Sequence, residues 1–237
     1  MTKYAMLIDP SRCIGCNLCV EACEKVHGGL APGSYYTWII DLKGYAGLSY
    51  APVHCLHCED PPCAKACPSG AMKKLENGAV IVDHEACIGC SFCVSSCPFN
   101  RIHYDPESKL VYKCDLCYKR IRDGEKPACV EVCPYEAKLF GDYEEMLRIG
   151  RERAEKLEGG LLVYPGETTV LYVLTKDQLD LLRAEYVLEE AYPSKSRSLM
   201  DLMKYSRIGA AVLLVGSIIY FVNWRRKRMS RISKGGG

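Results

Sequence analysis

Sixteen cysteines fall into four runs in this 237-residue chain, and their spacing limits its fold more than any other feature. The tightest run is Cys87-Ile88-Gly89-Cys90-Ser91-Phe92-Cys93-Val94-Ser95-Ser96-Cys97-Pro98, a C-x2-C-x2-C-x3-C-P pattern. Cys13, Cys16, Cys19 and Cys23 repeat that spacing without the proline. Two looser runs are Cys55, Cys58, Cys63 and Cys67-Pro68, then Cys114, Cys117, Cys129 and Cys133-Pro134. No cysteine is left over. Thiolates at i, i+3 and i+6 of a tight loop can wrap three corners of a metal centre, with backbone N–H groups pointing inward. The fourth cysteine lies past a turn of helix and faces elsewhere, and the proline after it turns the chain away.

This is the spacing that carries [4Fe–4S] clusters in bacterial ferredoxins, where the fourth cysteine ligates the neighbouring cluster. At four thiolates per cubane, sixteen cysteines make four clusters. Zinc sites built from four cysteines usually bring them as two separated C-x2-C pairs, which this is not. Disulfides need pairwise spacing rather than a shared focus. The x4 and x11 gaps of the second and fourth runs would leave zinc open for either alone; beside the other two they read as cubane sites with loop insertions. Spacing also leaves open that each run closes its own cluster.

A chain of this length accommodates one domain with appendages or two small ones. Its net charge of +2 does not imply a nucleic-acid partner. Sixteen tyrosines against four phenylalanines suit amphipathic surfaces and interfaces better than a dry core. Clusters staple such a fold, so the first 140 or so residues are expected not to fold without them. Met1 to Ala5 runs directly into an apolar strand over residues 4–8, so no secretory signal is expected.

Asp9-Pro10-Ser11-Arg12 leads from that strand into the first run, just as Asp83-His84-Glu85-Ala86 leads into the third from a strand at 79–82. The sequence thus predicts an internal repeat of strand, turn, cysteine loop and helix. A further strand is expected at 36–40, and a hairpin turning at Glu76-Asn77-Gly78. The charged stretch from Tyr118 to Lys126, between Cys117 and Cys129, reads as a solvated loop. Past Gly141 no cysteine remains: a helix is expected over 142–157, stopped by Gly159-Gly160, then a strand at 168–174. Thr175 and Gln178 have the capping-box spacing for a helix reaching about residue 190.

Residues 208–224, Ile208 to Trp224, are apolar apart from Ser217 and Asn223. As a helix they would span about 25 Å, the low end for a membrane crossing. Arg225-Arg226-Lys227-Arg228 follows at once, so a single transmembrane helix is expected rather than a buried one. The tail also carries Arg231 and Lys234, against Lys195, Arg197, Lys204 and Arg207 on the other side. The denser cluster predicts a cytoplasmic tail, with the cysteine domain on the outer, periplasmic face of the plasma membrane. Without a signal of its own, the folded chain would be exported with a signal-bearing partner.

The four runs in this order resemble the iron–sulfur (beta) subunits of membrane-bound respiratory oxidoreductases: formate dehydrogenases, dimethyl sulfoxide and polysulfide reductase types, and nickel–iron hydrogenases. The likeness covers residues 1–141, through Cys87-Ile88-Gly89-Cys90 to Asn100, Val111-Tyr112-Lys113-Cys114-Asp115-Leu116-Cys117, and Pro127-Ala128-Cys129-Val130-Glu131-Val132-Cys133-Pro134. The stretch from Gly166 to Leu174 and the terminal helix look most like the formate dehydrogenase subunit. The basic tail is heavier than that family leads one to expect.

The resemblance implies an α+β fold of two nested ferredoxin-like halves, the inner one at about residues 50–105 within 1–141. A helix-strand-helix α/β extension at 142–192, a linker at 193–207, the transmembrane helix and a basic tail at 225–237 would follow. It further implies four ligand sets: Cys13, Cys16, Cys19 with Cys133; Cys114, Cys117, Cys129 with Cys23; Cys55, Cys58, Cys63 with Cys97; and Cys87, Cys90, Cys93 with Cys67. With all sixteen thiols present, four full [4Fe–4S] cubanes are expected rather than a three-iron variant.

No site for bond chemistry is visible: no Ser/His/Asp grouping, no phosphate-cradling glycine loop, no carboxylate pair. The five histidines are His27, His54, His57, His84 and His103; His54 and His57 flank Cys55 and read as hydrogen-bond donors or surface residues rather than ligands. The expected role is a wire between a catalytic molybdenum or tungsten-pterin subunit and a membrane cytochrome b or other quinone-reactive subunit. The same role beside a nickel–iron subunit or in a dimethyl sulfoxide or polysulfide reductase complex is the alternative. A freestanding polyferredoxin and a structural zinc protein are the remaining readings.

Overall fold

The computed structural model describes residues 2–28 and 36–184. Strand β1 (Tyr4–Ile8) leads through a short 3-10 turn to the first cysteine loop and helix α1 (Leu18–His27). Strands β2 (Thr37–Asp41) and β3 (Tyr50–His54) form a hairpin ahead of the second run and the one-turn helix α2 (Pro62–Lys65). Strands β4 (Met72–Lys74) and β5 (Val80–Val82) pair antiparallel and feed the third run and helix α3 (Phe92–Ser96). A third hairpin, β6 (His103–Asp105) and β7 (Leu110–Tyr112), enters the fourth run, which carries helices α4 (Tyr118–Arg122) and α5 (Ala128–Glu131). The chain continues through β8 (Lys138–Asp142), α6 (Tyr143–Glu155), β9 (Gly160–Val163), β10 (Val170–Thr175) and α7 (Lys176–Ala184).

The expected repeat is present. Strand β1 precedes the first run and α1 follows it; β5 precedes the third and α3 follows it. Both helices start from a residue in the left-handed conformation, Asn17 (φ 60°) and Ser91 (φ 58°).

One four-stranded sheet, in the order β8-β1-β10-β9, ties the ends of this region together. Strand β1 runs antiparallel to β8, with Met6 opposite Phe140, and parallel to β10, with Leu7 opposite Leu171. The residues after Gly141 therefore supply a central strand of the sheet that begins with Tyr4. Side chains alternate across it. Met6, Ile8, Val170, Tyr172 and Leu174 face the main core with Leu48, Ala51 and Val53 of the β2–β3 region. Ala5, Leu7, Leu171 and Val173 face Tyr143, Met146, Leu147 and Ala154 of α6. Both faces are covered, so β10 reads as an unbroken apolar run rather than an alternating one.

Helix α6 starts where the Asp142 carboxylate accepts from the Glu144 N–H at 3.0 Å, an N-cap that replaces a missing helical partner. It comes close to the sheet at Gly150, where a Cβ would stand 2.6 Å from Leu162 and 3.1 Å from Leu7. The capping box at α7 forms: Gln178 N–H donates to Thr175 Oγ1 at 3.3 Å and Thr175 N–H to Gln178 Oε1 at 2.9 Å. The expected continuation of that helix beyond residue 184 lies outside the described residues. So does the stretch 208–224; among the described residues no helix is long and apolar enough to cross a membrane.

A buried hydroxyl is one of the fastenings between the sheet and the cysteine region. Tyr172 is fully enclosed and its OH donates to the Pro52 carbonyl on β3 at 2.9 Å. Tyr172→Phe removes that donor without changing shape. It is expected to destabilise the iron-loaded chain by about 1 kcal/mol, read as a lower thermal unfolding midpoint with unchanged visible absorption.

Candidate metal centres

Each cysteine loop bends the same way. The residue before the second cysteine is left-handed in all four runs: Gly15 (φ 73°), His57 (φ 50°), Gly89 (φ 69°) and Leu116 (φ 59°). Glycine takes that conformation without strain, and a side chain there costs roughly 1–2 kcal/mol. His57 and Leu116 adopt it nonetheless, and both are fully buried. At Gly89 space is closed as well, since a Cβ would lie 2.2 Å from the Lys109 carbonyl oxygen.

All sixteen cysteines are free thiols, and the fold gathers them from distant parts of the chain. Cys13, Cys16 and Cys19 line a cavity of about 350 Å³ together with Cys133. Cys55, Cys58 and Cys63 line one of about 320 Å³ together with Cys97. Cys87, Cys90 and Cys93 line one of about 310 Å³ together with Cys67. The remaining four also meet: Cys23 lies in the field of Cys129 and Cys117, and Cys114 in that of Cys23 and Cys117. Neighbouring groups touch electrostatically in series, through Cys19 and Cys129, Cys55 and Cys114, then Cys63 and Cys93.

Burial favours the protonated form of nine of these thiols. It pushes Cys63 and Cys117 up to about 12 and Cys93 up to about 11, and it raises Cys23, Cys58, Cys97, Cys114 and Cys129 as well. Neighbouring cysteines add to the rise, because each thiolate disfavours the next. Such a set binds a multivalent cationic centre, which replaces the protons, far better than it holds four free charges.

Exposure divides the groups. In the groups of Cys13 and Cys87 only Cys19 and Cys93 are buried, the others being half-buried or, at Cys16, exposed, whereas the other two groups bury all but Cys97 and Cys114. The aliphatic residue inside each C-x2-C turn follows: Ile14 is 50% and Ile88 67% exposed, Leu56 and Leu116 only 1%.

The histidines flanking Cys55 are not surface residues. His54 and His57 are buried, against one of the two sequence expectations, because β3 ends in His54 beneath the sheet and the loop after it bonds the His57 carbonyl to Thr169. His57 Nδ1 accepts from the Val80 N–H at 2.9 Å, so its proton sits on Nε2; burial and then Lys113 hold it neutral. His54 is pushed down to about 3 by burial and then by Lys138. Neither Nε2 has a hydrogen-bond partner among the described residues. His27 stands 3.5 Å from Asp115 and 3.9 Å from Cys117, a three-ligand group that shares its thiol with a cysteine set.

Sequence reading missed three buried cations. Lys113, Lys138 and Arg101 are enclosed beside the cysteines. Lys113 donates to the carbonyls of Val80 and, at 2.6 Å, Cys114, and Arg101 lies over the Trp38 ring at 5.0 Å. The available signal was a basic residue inside an apolar strand next to a cysteine run, as in Val111-Tyr112-Lys113 and Ala137-Lys138-Leu139.

The sequence matches the 4Fe-4S dicluster domain family twice, over residues 46–143 and 12–71. It is 41% identical over 157 residues to an anaerobic dimethyl sulfoxide reductase chain of Escherichia coli K12, covering 61% of this protein and 76% of that one. It is 37% identical over 200 residues to the nitrate-inducible formate dehydrogenase iron-sulfur subunit of the same organism, covering 73% and 68%. A sulfite dehydrogenase subunit of Allochromatium vinosum is 36% identical over 170 residues, covering 61% and 71%. The protein belongs to the iron–sulfur subunits of respiratory oxidoreductases that carry 4Fe-4S dicluster domains. Two such domains and sixteen cysteines make its cofactors four [4Fe–4S] clusters.

Gly89→Ala tests the loop geometry. The strained φ and the clash with Lys109 together should exceed the roughly 1–2 kcal/mol of a left-handed residue alone. The expected outcome is a lower thermal midpoint and reduced iron content relative to Gly124→Ala, where φ is also positive (83°) but nothing lies within 4 Å.

Proposed function

We propose that this chain is the electron-transfer subunit of a membrane-bound respiratory oxidoreductase, with one [4Fe–4S] cluster held by each of four crossed cysteine sets. The sets are Cys13, Cys16, Cys19 and Cys133; Cys23, Cys114, Cys117 and Cys129; Cys55, Cys58, Cys63 and Cys97; and Cys67, Cys87, Cys90 and Cys93. Three cavities, each lined by three thiols of one run and the fourth thiol of another, are the observation that carries this reading. The bound clusters supply one-electron carriers, whose potentials depend on charge, hydrogen bonding and exposure. The chain's own residues space these sites in series and keep water from the inner two. They leave the two outer ones near the surface, where partners can approach.

The domains follow from the same reading: nested ferredoxin-like halves within residues 1–141, and an extension over 142–192 whose strand buttresses them. The apolar stretch 208–224 would anchor the chain in the plasma membrane, tail cytoplasmic and clusters outside, exported with a signal-bearing partner. The catalytic partner we favour is a molybdenum or tungsten formate dehydrogenase subunit, with a cytochrome b or quinone-reactive membrane subunit on the other side. The similarity to a dimethyl sulfoxide reductase component supports the same relay role in a complex of that type.

Anaerobically purified protein should contain about sixteen iron and as much acid-labile sulfide per chain; about four zinc without sulfide would end the reading. Molybdenum or tungsten in the co-purifying complex, as against nickel, identifies the catalytic partner. Crossing is tested by substitution. Cys67→Ser should perturb the same paramagnetic centre as Cys93→Ser, and Cys97→Ser the same centre as Cys58→Ser. If Cys97→Ser instead perturbs the centre of Cys93, each run closes its own cluster.

A further inference from the structure

Lys138 is a buried charge in an unusual place. It sits on β8 at 1% exposure, and its ammonium donates to Thr37 Oγ1 at 3.0 Å. It lines the cavity of Cys13, Cys16, Cys19 and Cys133. It also lies in the field of Cys129 and Cys114, and lowers the cost of charge on Cys23, all three from the adjoining cysteine group. Among the described residues no carboxylate is paired with it. An ammonium taken out of water without a counter-charge is strongly disfavoured, and one neutral hydroxyl does not offset that. The other buried lysine differs, since Lys113 is bonded to two backbone carbonyls and has Asp115 near it.

We propose that Lys138 is a potential-tuning residue shared by two neighbouring centres, those of Cys13, Cys16, Cys19 and Cys133 and of Cys23, Cys114, Cys117 and Cys129. The inference rests on the cluster assignment given under Proposed function. Four thiolates on a cubane carry net negative charge, and each one-electron reduction adds another. A fixed cation in a low-dielectric interior therefore stabilises the reduced state more than the oxidised one, and raises the potential of both centres. Enclosed charges are little screened by salt, so the effect persists at high ionic strength. The centre of Cys67, Cys87, Cys90 and Cys93 has no cation lining its cavity and serves as an internal reference.

The test is redox titration of the intact complex, followed by electron paramagnetic resonance, in wild type, Lys138→Met and Lys138→Arg. Methionine keeps the length and removes the charge; arginine keeps the charge. Lys138→Met should lower the midpoint of two of the four signals. Each should change by at least tenfold in reduced-to-oxidised ratio at fixed potential, about 59 mV for one electron. The other two should stay in place, and Lys138→Arg should hold all four near wild type. Iron lost in Lys138→Met but kept in Lys138→Arg also supports the charge requirement. Four unmoved midpoints, a uniform shift of all four, or equal loss of iron in both variants would overturn it. Absence of cubane signals in the wild type would instead sink the functional reading itself.

Discussion

A thiol becomes a good metal ligand only when it loses its proton, and the interior of this protein makes that loss hard. Cys63 and Cys117 are pushed up to about 12 by burial, and the charges of neighbouring cysteines reinforce the effect. The same packing that disfavours free thiolates aims them at a common point. Iron resolves the conflict, because the sulfur surrenders its proton to a cation instead of carrying bare charge in an apolar surrounding. The small core around Met72, Val80, Ile102 and Val111 includes Cys63 and Cys93 among its buried members. So few aliphatic side chains cannot by themselves hold several loops in place, and cluster binding and folding must be one process in that half.

The sheet bears on this directly. The loops of the first and fourth runs have to meet, although Cys19 and Cys129 are far apart in sequence. Strands β1 and β8 solve it by pairing side by side, with Ile8 opposite Lys138, which places the segments leading to Cys13 and from Cys133 at the same end of two adjacent strands. Arg12 reinforces that corner, donating to the Tyr135 carbonyl at 2.8 Å. Strand β10 then covers the other side of β1, and its apolar residues serve two cores at once. The extension is therefore structurally part of the frame that brings the outer cysteines together, rather than a separate appendage to it.

Much of this was legible in the cysteine spacing, because a short C-x2-C-x2-C turn has few conformations that bring three sulfurs to one side. The repeat of strand, loop and helix was readable for the same reason, and the capping box at Thr175 and Gln178 because its pairing is local. The strand at β8 was not, since Lys138 and Gly141 interrupt an otherwise apolar stretch and the partner that buries them lies at the other end of the chain. The burial of His54 and His57 was equally hidden. A polar residue next to a cysteine looks exposed by type, and only the packing of β3 and the loop after it puts it inside. Left-handed His57 and Leu116 show the limit of reading by glycine. The bend is set by the geometry of the turn, and tertiary packing over those two loops compensates for the strain.

That packing also explains why four loops with one backbone bend differ so much at their surfaces. Leu56 and Leu116 point into the main core and anchor their loops there, so the cysteines beside them are shielded from water. Ile14 and Ile88 occupy the corresponding turns and point outward, leaving apolar side chains over the half-buried outer sets. An aliphatic residue exposed on a rigid turn adds nothing to the fold of an isolated chain, but covering it would remove water from the site beneath. A low-dielectric surrounding strengthens every nearby charge, so the inner sites feel Lys113 fully and share Lys138 with the outer set of Cys13, while the outer turns change surroundings when a surface closes over them. The division between buried and exposed turns thus separates sites whose electrostatics the chain fixes alone from sites whose electrostatics also depend on what docks.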